Sequence, residues 1–170
     1  MTSIKNHNLP GVASYRLNKH IDDRGFFTEV LRKDWGDFLH ADWITQVNLS
    51  RSHSGIVHAW HRHDRNQIDY LLVLEGSLKI VAYDDEPNSP TQGTICELTA
   101  SSEQLELVRI PGHYWHGHKA IGNSDTLSIY MVTQLYDYDN PDEQRRVWND
   151  PTIIDPRTQK PYDWFSIPHK

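Results

Sequence analysis

Gly55-Ile-Val-His-Ala-Trp-His-Arg-His-Asp-Arg-Asn-Gln67 contains a β-type run from Gly55 to His63 that carries three of the chain's eleven histidines. Alternate side chains of a strand point to one face, so His61 and His63 project together, on the order of 7 Å apart. Gln67 follows just beyond. Imidazoles that share a face need a polar cavity beside them, because an apolar core would strand their nitrogens.

Working outward, similar runs recur at Phe26–Leu31, Trp43–Leu49, Ile68–Leu74, Leu78–Tyr83, Gly93–Leu98, Leu105–Ile110 and Leu127–Thr133. Tyr70 to Tyr83 holds two apolar runs about Glu75-Gly76-Ser77, which reads as a hairpin. Asp85–Gly93 is a turn-rich loop joining the next two strands. Only Asp34–Leu39 and Pro141–Arg146 look helical. Many short strands with Gly and Pro punctuation predict an all-β barrel or sandwich with one or two short helices. The length of 170 residues suits one domain over 1–170. From about residue 151 an irregular tail is expected, since Pro151, Pro156, Pro161 and Pro168 interrupt it.

Composition narrows the partners. A net charge of −6 without a basic cluster argues against wrapping a nucleic acid. No apolar run is long enough to cross a membrane as a helix, and no secretory leader is recognisable, so a soluble cytoplasmic protein is expected. Cys96 is the single cysteine and reads as a core residue. Eleven His, six Trp and eight Tyr suit a polar, aromatic-lined cavity for a small molecule.

A second histidine cluster lies in Ile110-Pro-Gly-His-Tyr-Trp-His116, where His116 can face the first pair once the strands close. Gly55, His61-x-His63, Gln67 and Gly76 resemble the first cupin motif, with Gln in place of Glu and a longer final gap. Pro111-Gly-His-Tyr-Trp-His116 resembles the second, its glycine displaced by one. The resemblance implies a cupin jelly roll. It leaves two readings of His61, His63, Gln67 and His116: ligands of a divalent metal, for which imidazole is a suitable donor, or wall residues of a metal-free cavity.

From about Asp22 to Pro151 the order of segments resembles the dTDP-4-dehydrorhamnose 3,5-epimerase family. The matching segments are Asp23-Arg-Gly-Phe-Phe-Thr-Glu29, Gln46-Val-Asn-Leu-Ser-Arg-Ser52, Ser89-Pro-Thr-Gln-Gly93 and Ile110 to Gly117. The resemblance implies an isomerase of deoxysugar biosynthesis that needs no cofactor. His61 falls on its general base and Tyr130 on its general acid, with Tyr136 nearby. Arg24, Phe27 and Glu29 fall on the segment whose Arg and Glu meet the nucleotide in a homodimer. Gln46, Asn48, His63 and His116 fall among substrate contacts, and Arg24 and Arg51 are candidate diphosphate anchors. Trp60, Trp115 and Tyr138 are candidates to stack on the base.

Such an enzyme removes the proton α to a C4 carbonyl, forms an enolate and returns a proton to the opposite ring face. Histidine suits the first task and a protonated tyrosine the second. The family's arginine and lysine appear here as His58 and Asp69. Another group must then stabilise the oxyanion: a protonated His63 or His118, Arg62, or a metal. Asp69, facing inward, would orient His61 or His63, and Asp150, Asp155 or Asp163 would support His61. His-x-His-Arg with a later Gln also resembles dTDP-sugar 3,4-ketoisomerases. A metal-dependent cupin enzyme and a non-catalytic sugar-nucleotide binding module complete the alternatives.

Overall fold

The computed structural model describes residues 4–166, and they are almost entirely β. β1 (Ile4–Asn6), β2 (Ala13–Arg16), β3 (His20–Asp22) and β4 (Gly25–Phe27) precede one short helix, α1 (Gly36–Leu39). β5 (Gln46–Ser52), β6 (Val57–His63), β7 (Ile68–Glu75) and β8 (Ser77–Tyr83) follow. β9 (Ile95–Ser101), β10 (Glu106–Pro111), β11 (Trp115–Ile121) and β12 (Thr126–Val132) complete the body. β13 (Glu143–Arg145), β14 (Ile154–Asp155) and β15 (Lys160–Pro161) come last. One sheet runs β1-β2-β10-β7-β12-β5 and the other β13-β6-β11-β8-β9, which together make a cupin-type jelly roll.

β7 shows how one apolar run serves two layers. Leu71 and Val73 pack between the sheets against Leu78, Ile80, Val108 and Ile110. Tyr70 and Leu72 point the other way, beneath Phe38 and Leu39 of α1. The second sheet is covered likewise: Trp60, Val81 and Trp115 pack under Ile153, Tyr162 and Trp164 of the tail. Trp60 and Trp164 lie 4.8 Å apart by ring centroids, and aromatic pairs of this kind contribute about 0.5–1.5 kcal/mol beyond area burial. The Lys79 ammonium fastens the tail by donating to the Ser166 carbonyl at 2.8 Å. Pro168 lies outside the described residues.

Three expectations are corrected. β7 and β8 belong to different sheets, so Glu75-Gly76-Ser77 is a crossover between layers and not a hairpin. Gly76 has φ 74°, and a Cβ there would lie 2.7 Å from the Asp125 carbonyl oxygen, so glycine alone fits the turn. Strands facing across a core carry the same apolar pattern as strands side by side, which is why the local signal misleads. Pro141–Arg146 forms no helix; Glu143–Arg145 pairs with the edge of β6, tertiary pairing overriding a weak local preference. Finally, the strand expected over Phe26–Leu31 shrinks to Gly25–Phe27, while Trp115–Ile121, rich in His, Gly and Lys, is a strand the composition conceals. The Asp85–Gly93 loop does join two paired strands, β8 and β9.

Candidate active site

A bulge in β6 decides which histidines meet. His116 of β11 pairs with His61 while His118 pairs with His58, so three steps along β6 oppose two along β11. The extra residue resets the alternation and turns His58, His61 and His63 to one cavity, with Trp60 packed in the outer core. Gly117 sits opposite the bulge, where a Cβ would lie 2.4 Å from the Ala59 Cβ. The two backbones approach this closely only because Gly117 has no side chain.

The cavity lies between the open ends of the sheets and measures about 730 Å³, within the range of small-molecule sites. β6 and β11 supply His58, His61, His63, His116 and His118 on one wall. β5, β7 and β12 supply Gln46, Asn48, Asp69 and Tyr130 on the facing wall. Tyr136, Tyr138 and Arg145 complete the lining.

Asp69 ties the walls together. Its Oδ2 is 3.2 Å from His116 Nε2 and 3.8 Å from His63 Nε2. The Gln67 amide donates to Asp69 Oδ1 at 2.7 Å and stands 3.1 Å from His63 Nε2. His116 Nδ1 donates to the Tyr114 carbonyl at 2.8 Å, and His63 Nδ1 faces Asp142 Oδ2 at 3.5 Å. The His61 ring lies 4.2 Å from that of His116 and makes no side-chain hydrogen bond among the described residues.

Burial holds the His61 imidazole well below its usual pKa, and His116 and His63 reinforce the shift, so His61 is neutral at pH 7 with a free lone pair. Burial likewise lowers His63, against the pull of Asp69, and brings His118 to about 4. At both positions burial therefore disfavours the protonated imidazole that the sequence reading offered as an oxyanion partner. Burial alone would raise the Asp69 carboxyl, but His116, His63 and Gln67 outweigh it and hold it below the ordinary range. Burial raises the Tyr130 phenol, and the Asp69 and Glu143 carboxylates add to this, so Tyr130 stays protonated.

The sequence-derived residues separate into two groups. His58, His61, His63, Asp69, His116, Gln46, Asn48, Tyr130 and Tyr136 all line the cavity. Arg51 does not: Gln46 and Asn48 face inward, so alternation turns Arg51 outward, where it lies 3.9 Å from Asp125. Arg24 pairs with Asp22 at 2.6 Å on the β3–β4 hairpin, which joins neither large sheet. Phe27 is 65% exposed on that hairpin, and Glu29 pairs with Arg32 at 2.6 Å.

Arg62 points away from the cavity, 3.2 Å from Asp85 and stacked 4.8 Å over the Trp115 ring. The Trp60 and Trp115 rings are buried in the outer core against the tail, whereas Tyr138 stands exposed at the cavity. Asp150, Asp155 and Asp163 hydrogen-bond Thr152, Arg157 and the Phe165 amide respectively, and none reaches His61. Sequence reasoning missed Arg145, which opposes His61 in the β13–β6 ladder, and Asp142, which backs His63. Both follow from a non-local strand pairing that leaves no signal in their own segment.

A jelly roll whose cavity carries a neutral histidine on one wall and a protonated tyrosine on the facing wall offers a proton acceptor and a proton donor on either side of a bound molecule. Residues 6–156 match the family described as dTDP-4-dehydrorhamnose 3,5-epimerase. The chain is 38% identical over 138 residues to the "Probable low-salt glycan biosynthesis epimerase" of Haloferax volcanii, covering 81% of this chain and 87% of that one. It is 34% identical over 145 residues to a spore coat polysaccharide biosynthesis protein of Bacillus subtilis, covering 85% and 93%. Among solved structures, a dTDP-6-deoxy-D-glucose-3,5-epimerase of Legionella pneumophila in complex with dTDP-4-keto-L-rhamnose superposes with a TM-score of 0.80 at 26% identity, covering 90% of this chain and 81% of that one. The chain belongs to the dTDP-4-dehydrorhamnose 3,5-epimerase family of nucleotide-sugar isomerases.

Proposed function

We propose that the chain epimerises a 4-keto-6-deoxy sugar carried on a nucleoside diphosphate, with His61 as base and Tyr130 as acid. The observation that carries this is their placement: a neutral imidazole on the wall built by β6 and a protonated phenol on the wall built by β12, with the cavity between them. His61 takes the proton from the carbon next to the C4 carbonyl, and the C–H electron pair moves into an enolate. Tyr130 delivers a proton to the opposite ring face, which inverts the carbon. Proton transfer of this kind requires no redox cofactor.

Tyr136 and Tyr138, 5.0 Å apart and edge to face, offer aromatic surface for the nucleotide base, and Arg145 offers charge for the diphosphate. The outward face of β5 leaves Val47 and Leu49 60% and 67% exposed, and the β3–β4 hairpin exposes Phe26 and Phe27. An edge strand of this kind is best covered by a partner. We take the partner to be a second copy, so that Arg24 and Glu29 serve the cavity of the other protomer. Sedimentation of the chain at twice its 19.8 kDa is the expected result, and a monomer at micromolar concentration refutes it. A lone cysteine, buried and unpaired, fits a reducing cytoplasm.

Proton NMR of the keto-sugar nucleotide in D2O tests the chemistry. The wild-type protein washes out the sugar H3 or H5 signal, and His61→Asn slows the exchange by about 10²- to 10⁴-fold without changing the melting temperature. Exchange at the wild-type rate in the variant removes His61 from the role of base. Transfer of the carbonyl to C3 would instead identify a ketoisomerase.

A further inference from the structure

We propose that Asn48 presents its amide hydrogens to the sugar oxygen that becomes anionic during proton transfer, and that Gln46 is the positioning residue that keeps it turned that way. The orientation follows from one backbone group. The Tyr136 N–H can only donate, and it lies 3.0 Å from the Gln46 amide, so the atom it meets is the carbonyl oxygen Oε1. The Gln46 NH2 must then point along β5, where it donates to Asn48 Oδ1 at 2.8 Å. The Asn48 carbonyl is thereby taken. Its Nδ2, which has no acceptor among the described residues, is left to the cavity that Asn48 lines.

Gln46 and Asn48 share the inward face of β5 because they are two apart. Asn48 stands directly across from Tyr130 in the β5–β12 ladder, and side chains so paired have Cβ atoms about 4.5–5.5 Å apart. The donor therefore sits beside the phenol, on the wall that faces His61. When His61 takes the proton, the C–H pair becomes the new C=C bond and the carbonyl π pair moves onto oxygen. That oxygen belongs to the carbon adjoining the one that Tyr130 reprotonates, so a donor next to Tyr130 is within reach of it.

The other candidates for this task are engaged elsewhere or uncharged. Arg62 faces away, toward Asp85, and Arg145 serves the diphosphate. Burial disfavours the charged form of His63 and of His118, and Asp69 brings a carboxylate where the resembling family keeps a lysine. An amide already held in place stabilises an oxyanion without first having to turn. The Tyr136 N–H belongs to the β12–β13 connection, whose Asp137 and Tyr138 also line the cavity. The segment that borders the ligand thus sets the direction of the donor.

This role rests on the epimerase reading. The test measures solvent deuterium exchange into a saturating dTDP-linked 4-keto-6-deoxyhexose, with the full-length chain and a double-mutant cycle. Asn48→Asp keeps the acceptor for Gln46 but puts an oxygen where Nδ2 was, and Asn48→Ala removes the donor outright; exchange should fall about 10²- to 10³-fold in each. Gln46→Glu still accepts from Tyr136 but has no hydrogen to donate. Asn48 then turns its amide to the new carboxylate and its carbonyl to the cavity, and the loss should match that of Asn48→Ala. In the Asn48→Ala background, Gln46→Glu should cost little more, whereas an effect of the added charge or of altered folding would be additive. Wild-type exchange in Asn48→Asp overturns the proposal, as do additive losses or weaker sugar-nucleotide binding with an unchanged saturated rate. Absence of exchange in the wild type overturns the epimerase reading and this role with it; exchange that survives in the variants overturns the role alone.

Discussion

Asp69 and Tyr70 are neighbours in the chain, yet they sit in polar clusters of opposite character on the two faces of β7. Under α1, the Tyr70 hydroxyl donates to Asp42 Oδ2 at 2.5 Å, and Arg109 Nε and Nη2 reach the same oxygen at 2.9 and 2.8 Å. Arg109 Nη1 donates to the Gly11 carbonyl at 2.8 Å. One cation meets one anion, and the cluster ties the N-terminal segment and the α1–β5 connection to the sheet. On the inner face, Asp69 Oδ1 accepts from the Gln67 amide, which also reaches His63 Nε2, while Asp69 Oδ2 stands 3.2 Å from His116 Nε2 and the whole group lines the cavity. A polar cluster closed off under a helix stabilises the fold; one that lines a cavity is open to a proton or a substrate.

The largest expected effect breaks the closed cluster. Arg109→Met leaves the Asp42 carboxylate partly buried without its counter-charge, and this should cost about 3–5 kcal/mol of stability. Asp69→Asn, one position from Tyr70, keeps an oxygen to accept from Gln67 and supplies an amide that can donate to His116. It should change stability by about 1 kcal/mol or less. Urea unfolding of both variants measures the contrast, and equal losses would show that the two faces do not differ as described.

Much of this was legible in the sequence wherever alternation governs. His61 and His63 share a face because they are two apart, and Gln46 and Asn48 line the cavity for the same reason. The same rule, applied further along β5, would have turned Arg51 outward, but a family correspondence does not encode which face a residue occupies. His58 joins the cavity only through the bulge, which breaks the parity that a strand predicts. The β7–β8 crossover and the β13 edge strand were hidden because strand pairing is non-local: the same local pattern serves either partner. Arg145 and Asp142 are therefore found by geometry alone.

Gly117 sharpens the comparison from the side of the open cluster. The closed cluster is positioned by its own hydrogen bonds, whereas the histidine wall is positioned by the backbone behind it. In Gly117→Ala the new Cβ would lie 2.4 Å from the Ala59 Cβ and 2.6 Å from the His58 carbonyl oxygen, and backbone on β6 must move to make room. Overpacking of this kind costs about 1–3 kcal/mol, less than the loss of Arg109. Since the bulge carries His58 and His61, proton exchange should fall by more than the stability loss accounts for. Measured well below the melting temperature, where the variant is folded, exchange at the wild-type rate would show that the histidines hold their positions without the backbone contact.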